Sequence, residues 1–345
     1  MNKNYLSKER MLAALNFEKP DKVPVFLNNA LATSRATGVR IKDMVTNPEK
    51  FSEALCTCYE KYGYDGIRIS CDVAVEGEAM GGTAQYPEDA AVFLVEHPLK
   101  NAHEDFKKLK MPDPYSSGRM PIMIKTTELT RKRLGEGAYI ASSVMGPANI
   151  ASQLLGVNEF MMMFYDDPDF LEQLLDFTSE ITVMYGKAMY KAGADCITMG
   201  EAICSTKSIG PNKYVNFVKK RHKRVIAEFN KAGIKYHTFH ICGQLEPILL
   251  DVAETGVASV DVDSPVNMKT SREQLGHKMT MIGNISPAEL LNSPKERITE
   301  LCADVLLGKY GLGLVLGAGC NIAPNTPEVN LRAMVESIKT YGIYE

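Results

Sequence analysis

The sequence predicts an α/β fold, a (β/α)8 TIM barrel, and three observations predict it. Apolar runs of strand length recur eight times along the 345 residues. Segments with helical spacing separate them, so strand is followed by helix throughout, the pattern of a parallel sheet. Polar residues collect at the carboxyl ends of the runs, where a barrel assembles its active site. A doubly wound sheet also alternates, but it does not call for eight units and does not bring the ends of strands five and eight to one mouth.

The chain opens on a helical extension, about Ser7 to Phe17 with Ser7 as N-cap, and passes through Glu18-Lys-Pro-Asp-Lys to Val23-Pro-Val-Phe-Leu27, the first strand. Further strands are expected at Gly66 to Cys71, Ala138 to Val144, Cys196 to Gly200, Tyr236 to Cys242, Ser259 to Asp263, Met279 to Ile285 and Leu314 to Gly319. Helices are expected at Pro48 to Tyr62, Pro121 to Leu134, Pro168 to Lys191, Pro211 to Lys231, Gln244 to Glu254, Thr270 to Leu275, Pro294 to Leu307 and Pro327 to Tyr341. Several open on proline, whose missing N–H costs nothing in a first turn. The passage from Asp72 to Pro121 is too long for an ordinary connection and reads as a long loop or cap over the barrel mouth. With no repeat, low-complexity tract or linker, residues 1–345 read as a single domain.

Composition is that of an ordinary globular protein, 45% hydrophobic and 23% charged, and a net charge of −3 gives no reason to expect nucleic acid or an anionic membrane as partner. The basic run Lys219-Lys-Arg-His-Lys-Arg224 lies in a helical segment and reads as a solvated face. The amino terminus, Met1 to Lys8, lacks the apolar core of a signal peptide, and no run of about 18 apolar residues exists to span a bilayer, so a cytoplasmic protein is expected. The eight cysteines should then be reduced thiols. Cys56, Cys58 and Cys302 fall in helical segments as small buried hydrophobes, and Phe160-Met-Met-Met-Phe164 reads as the core face of a helix.

His240 and Cys242 stand two apart in the fifth strand, and a period of two turns both side chains to one face. If the end of strand eight brings Cys320 beside them, a His/Cys/Cys zinc site results, with one position open for substrate, as in a catalytic rather than a structural site. Asp261 and Asp263 at strand six are both candidates for an oxygen ligand or for an acceptor of the imidazole N–H, and Asp263, nearer the strand end, is preferred. The remaining strand ends supply Asp72 as an acid or substrate-binding group, or a loop cap, and Asn28, Ser143, Glu201 and Asn284 as substrate-binding candidates. Gly311-Leu-Gly313 and Gly317-Ala-Gly319 do not fit a dinucleotide loop, so no nicotinamide is expected.

Nearly the whole chain resembles the uroporphyrinogen decarboxylase superfamily. The resemblance rests on Arg10-Met-Leu-Ala-Ala-Leu-Asn-Phe-Glu-Lys-Pro-Asp-Lys-Val-Pro-Val25, on the Asp72 strand end with Glu76 to Gly82 after it, and on Gly319-Cys-Asn-Ile-Ala-Pro-Asn-Thr-Pro327. It implies a (β/α)8 barrel and one of two chemistries. The decarboxylases carry Arg-Gln-Ala-Gly-Arg after strand one, where this chain has Leu27-Asn-Asn-Ala-Leu-Ala-Thr33, and Leu-Gly-His-Gly at strand eight, where it has Leu316-Gly-Ala-Gly319. The cobamide-dependent methyltransferase branch is similar in another way: its zinc motif of His-x-Cys and a distant Cys matches His240, Cys242 and Cys320, and Asp263 falls where that branch often has an acid near the metal. The resemblance therefore implies zinc and methyl transfer between a methylcobamide and a small thiol such as coenzyme M. As the chain has no Asp-x-His-x-x-Gly motif, the corrinoid is expected on a separate corrinoid protein. Uroporphyrinogen decarboxylation and a non-catalytic corrinoid- or metal-binding protein are the alternatives.

Overall fold

In the computed structural model, residues 5–308 and 310–344 are described, so the expectation for the first four residues of the amino terminus lies outside them. Eight strands form the centre: β1 (Val25–Leu27), β2 (Gly66–Ile69), β3 (Tyr139–Met145), β4 (Cys196–Gly200), β5 (Tyr236–His240), β6 (Ser259–Val262), β7 (Thr280–Ile285) and β8 (Leu314–Ala318). Each pairs in parallel with its neighbours in chain order, and β8 pairs with β1 to close the barrel. The registers place Gly200 opposite His240 and His240 opposite Asp261.

Alternation divides the strands between two environments. Val25, Leu27, Ile67, Ile69, Phe239, Val260 and Val262 belong to the core under the helices. Phe26, Tyr139, Ala141, Cys196, Ile282 and Val315 instead form a second cluster with Met11, Ala14 and Leu15 of the first helix, Ser7–Leu15. That helix thus seals the amino end of the barrel, and Thr280 Oγ1 donates to its Ala14 carbonyl at 3.1 Å. Its N-cap is Leu6 rather than Ser7, with Glu9 accepting from the Leu6 N–H.

The helices Pro48–Tyr62 and Pro168–Lys191 run as expected from the sequence. Between Gly210 and Lys231 the expected single helix contains a π-helical turn at Tyr214–Val218 before it resumes at Lys219–Lys231. The basic run is not a solvated face throughout: Arg221 and His222 are buried, Arg221 against Asp176 and Glu172. After β3, helices Pro147–Leu155 and Val157–Asp166 follow one another directly, and Gly156, at φ +87°, makes the break between them. Only part of the expected core face is buried there, Phe160 and Phe164, while Met162 is half exposed.

The passage after β2 is a structured cap. It holds a short helix (Val75–Ala79), an antiparallel hairpin (Thr83–Gln85 with Phe93–Glu96) and a second short helix (Ala102–Phe106). Gln153 of helix Pro147–Leu155 ties it down, accepting from Gly77 N at 2.6 Å through its side chain while its carbonyl meets His97 Nδ1 at 2.7 Å. Among the described residues no helix is long and apolar enough to cross a membrane.

Candidate metal centre

At the carboxyl end of the barrel, β5 stops at His240; buried Ile241 intervenes, and Cys242 follows two residues on. Gly243, at φ +78°, turns the chain away and donates its N–H to Asp263 Oδ2 at 2.7 Å. Cys320 lies two residues past β8, after Gly319, whose N–H donates to the Ile285 carbonyl at 2.8 Å. These loops bring three ligand atoms together. His240 Nε2 is 3.5 Å from Cys242 Sγ and 3.6 Å from Cys320 Sγ, and the two sulfurs are 3.8 Å apart.

Those edges can be compared with a tetrahedral zinc. Bond lengths of about 2.3 Å to sulfur and about 2.05 Å to nitrogen require edges of about 3.8 Å between sulfurs and about 3.6 Å from nitrogen to sulfur. The donor set is soft, the triangle has the size of one tetrahedral face, and the residues fit the ion.

Below the triangle the barrel interior is charged. His240 Nδ1–H donates to Asp261 Oδ2 at 2.9 Å, which points Nε2 at the two cysteine sulfurs. The same carboxylate accepts from Arg68 on β2, through Nη1 at 2.5 Å and Nη2 at 3.0 Å. Arg68 also lies over the Phe26 ring, 4.7 Å from its centroid. Burial alone would push the Asp261 carboxyl up, but the charge of Arg68 and the bond from His240 hold it down at about 2. Burial opposes the imidazolium of His240, yet Asp261 and Cys320 outweigh it and raise the group to about 9. The hydrogen bond from Cys242 lowers Cys320 to about 4, and Cys242, as the donor beside a thiolate, is pushed up. Without metal the trio therefore retains protons on Cys242 and His240 that a metal ion must displace.

Of the two carboxylates at strand six, Asp261 is the one that meets the imidazole. Asp263 binds backbone instead, accepting from Gly243 N and from Ser264 N at 2.6 Å, and the ligand-atom grouping comprises only His240, Cys242 and Cys320. Asp72 lies three residues beyond β2, and both its oxygens accept from Arg119, at 2.7 and 2.9 Å. Arg119 also holds Glu78 at 2.7 Å, so Asp72 anchors the cap. Asp72, Asn28 and Ser143 all line the cavity above the His240, Cys242 and Cys320 triangle. Asn284 does not: its amide donates to the carbonyls of Asp263 and Val266 and staples the loop after β6.

Glu201 turns away from the cavity. It accepts from Ala148 N at 3.0 Å and Asn149 N at 2.8 Å, the free N–H groups that open helix Pro147–Leu155, and from His222 Nε2 at 2.9 Å. Gly146 makes room for it, since a Cβ there would collide with the Glu201 carboxyl. With Cys204 these two form a second grouping of ligand-type atoms, fully buried.

A cavity of about 220 Å³ rests on the triangle, lined also by Arg68, Ser70, Met145, Asn149, Thr198 and Asn321. Arg68 and Arg119 were not among the candidates from sequence. A signal for Arg68 existed: a lone charge between isoleucines in Gly66-Ile-Arg-Ile69 must point into the barrel and find a partner there. Nothing comparable marks Arg119 in its Gly-Arg-Met context.

Comparison with known proteins adds three findings. The family model described as uroporphyrinogen decarboxylase (URO-D) matches residues 6–341. The methylcobamide:CoM methyltransferase MtaA of Methanosarcina barkeri is 29% identical, covering 97% of this chain and 98% of the relative, and the uroporphyrinogen decarboxylase of Magnetococcus marinus is 25% identical over 98% of both. A solved methyltransferase from Methanosarcina mazei superposes with a TM-score of 0.90 at 29% identity, covering 97% of this chain and 99% of that one.

Proposed function

The chain belongs to the uroporphyrinogen decarboxylase family, and from that premise we propose that it moves a methyl group between a corrinoid on a partner protein and a small thiol activated at zinc held by His240, Cys242 and Cys320. The observation that carries this reading is the ligand triangle, whose edges of 3.5, 3.6 and 3.8 Å match one face of a tetrahedral site and whose three residues line the cavity. Bound there, zinc supplies a Lewis acid that keeps a substrate thiol ionised near neutral pH.

The chain's own residues do the rest. Asp261 holds the Nδ1 proton of His240, which orients the ring with Nε2 toward the metal position, and Arg68 keeps that carboxylate ionised and oriented. Asp263 serves the loop rather than the metal. Asn28 and Ser143 face the substrate tail. The full-length methyltransferase relatives support the reading. The eight cysteines are free thiols, in keeping with a reducing cytoplasm.

The test supplies zinc-loaded protein with methylcobalamin and a panel of small thiols and follows the loss of the methyl-cobalt absorbance. Slow turnover is expected without the corrinoid protein, and Cys242→Ala abolishes it. Coproporphyrinogen formation that survives Cys242→Ala would overturn the assignment.

A further inference from the structure

A second cavity, of about 330 Å³, adjoins the first beside the cap and shares Val73, Asn149 and Ala202 with it. Its walls are largely apolar: Val73 and Val157, each half exposed, stand there with Leu94 and Ile203. Two accessible polar groups interrupt them. Ser208 is exposed, and its hydroxyl has no hydrogen-bond partner among the described residues. His97, directly after the cap hairpin, sits against Gly156, where a Cβ would come within 3.0 Å of its ring. Its Nδ1 meets the Gln153 carbonyl at 2.7 Å, so that nitrogen carries the proton. In the neutral ring Nε2 is then an acceptor, and among the described residues nothing donates to it. An apolar hollow with a few placed polar groups has the make-up of a ligand site.

Transfer of methyl from cobalt to sulfur is an in-line displacement: the S–C bond forms as the Co–C bond breaks, and the electron pair stays on the metal as Co(I). Sulfur, carbon and cobalt share one axis, and the corrin ring lies across it. A corrinoid seated over the triangle therefore spreads sideways past the first cavity. The adjoining hollow is smaller than the macrocycle but has room for the primary amide side chains at its edge. Their methylene stems suit the apolar walls, and their N–H groups suit His97 Nε2 and the Ser208 hydroxyl. Resting on the methyltransferase reading, we propose that this second cavity binds amide side chains of the methyl donor, with His97 as their acceptor.

Two corrinoids test this by calorimetric titration into the zinc-loaded chain without thiol: methylcobalamin, and methylated heptamethyl cobyrinate, in which esters replace the edge amides and no N–H remains. His97→Leu should weaken methylcobalamin binding about fivefold, the loss of one hydrogen bond, and leave the ester's unchanged. His97→Gln, which keeps an acceptor, should recover most of the affinity. Unaltered methylcobalamin binding in His97→Leu, or equal weakening of both corrinoids, overturns the proposal. So does a His97→Leu chain in which only the KM for thiol rises, which would give the hollow to the acceptor's tail. In each of these cases demethylation of methylcobalamin by the native chain leaves the methyltransferase reading standing. A native chain that neither binds nor demethylates methylcobalamin sinks both.

Discussion

Asp261→Asn tests whether the metal site is governed from inside the barrel. The native carboxylate accepts three hydrogen bonds, one from His240 and two from Arg68. An asparagine of the same size has one acceptor oxygen, so it serves one neighbour and turns an NH2 toward the other. If the imidazole loses its partner, zinc affinity should fall about 10- to 100-fold, or roughly 1.4–2.7 kcal/mol. If Arg68 loses its partner, a buried charge is uncompensated, at a cost of about 3–5 kcal/mol in stability. Two measurements separate these effects: competition with a chromogenic chelator for zinc, and thermal unfolding of the metal-free protein. The double variant Arg68→Met, Asp261→Asn removes both charges; it should recover much of the stability and none of the affinity. Wild-type zinc affinity in Asp261→Asn would refute the idea that this carboxylate positions His240.

Three further outcomes are expected. Protein purified without added metal should hold close to one zinc per chain, and Cys320→Ala or His240→Ala should remove most of it; full retention by both would exclude the triangle as the site. Burial raises Glu76 to about 7 from its ordinary 4.5, so its protonated form is favoured in the folded state. The stability it contributes is complete below pH 4.5 and lost as pH rises through 7, by up to about 3 kcal/mol, and Glu76→Gln should abolish that slope when the two proteins' unfolding is compared across the window. Glu201→Ala leaves Ala148 N, Asn149 N and His222 without their acceptor and should cost several kcal/mol in chemical unfolding; a change under about 0.5 kcal/mol would show that the helix end is satisfied in another way.

The barrel was legible because the periods of its segments differ: eight short apolar runs and long helical ones. The convergence of His240 and Cys242 was legible because two residues of soft-ligand type two apart share a face, and that relation survives although β5 ends at His240 and Cys242 lies in the following turn. Partnership across the interior was not legible. Arg68 and Asp261 stand 193 residues apart, and periodicity tells which way each points but not what it meets. Glu201 and Asp72 illustrate the same limit, since a polar residue at a strand end may serve substrate or scaffold and the sequence pattern is identical for both. Between Pro147 and Asp166 only Phe160 to Phe164 was legible as a helix face; Pro147–Leu155 was not, because it is buried all round, Asn149, Ser152 and Gln153 included, and so has no solvated face.

The first helix has a consequence for kinetics. With Met11, Ala14 and Leu15 filling the amino end of the barrel, a guest would approach the cavity from the carboxyl side. On the proposed reading, a thiol and a corrinoid protein would share that side, and the smaller guest would have to be seated before the larger one arrives. A corrinoid protein that docks first blocks the queue, so excess of it should slow turnover, and the methylated product can leave only after the partner has lifted off. Steady-state patterns should be those of compulsory order, with thiol first on and thioether last off.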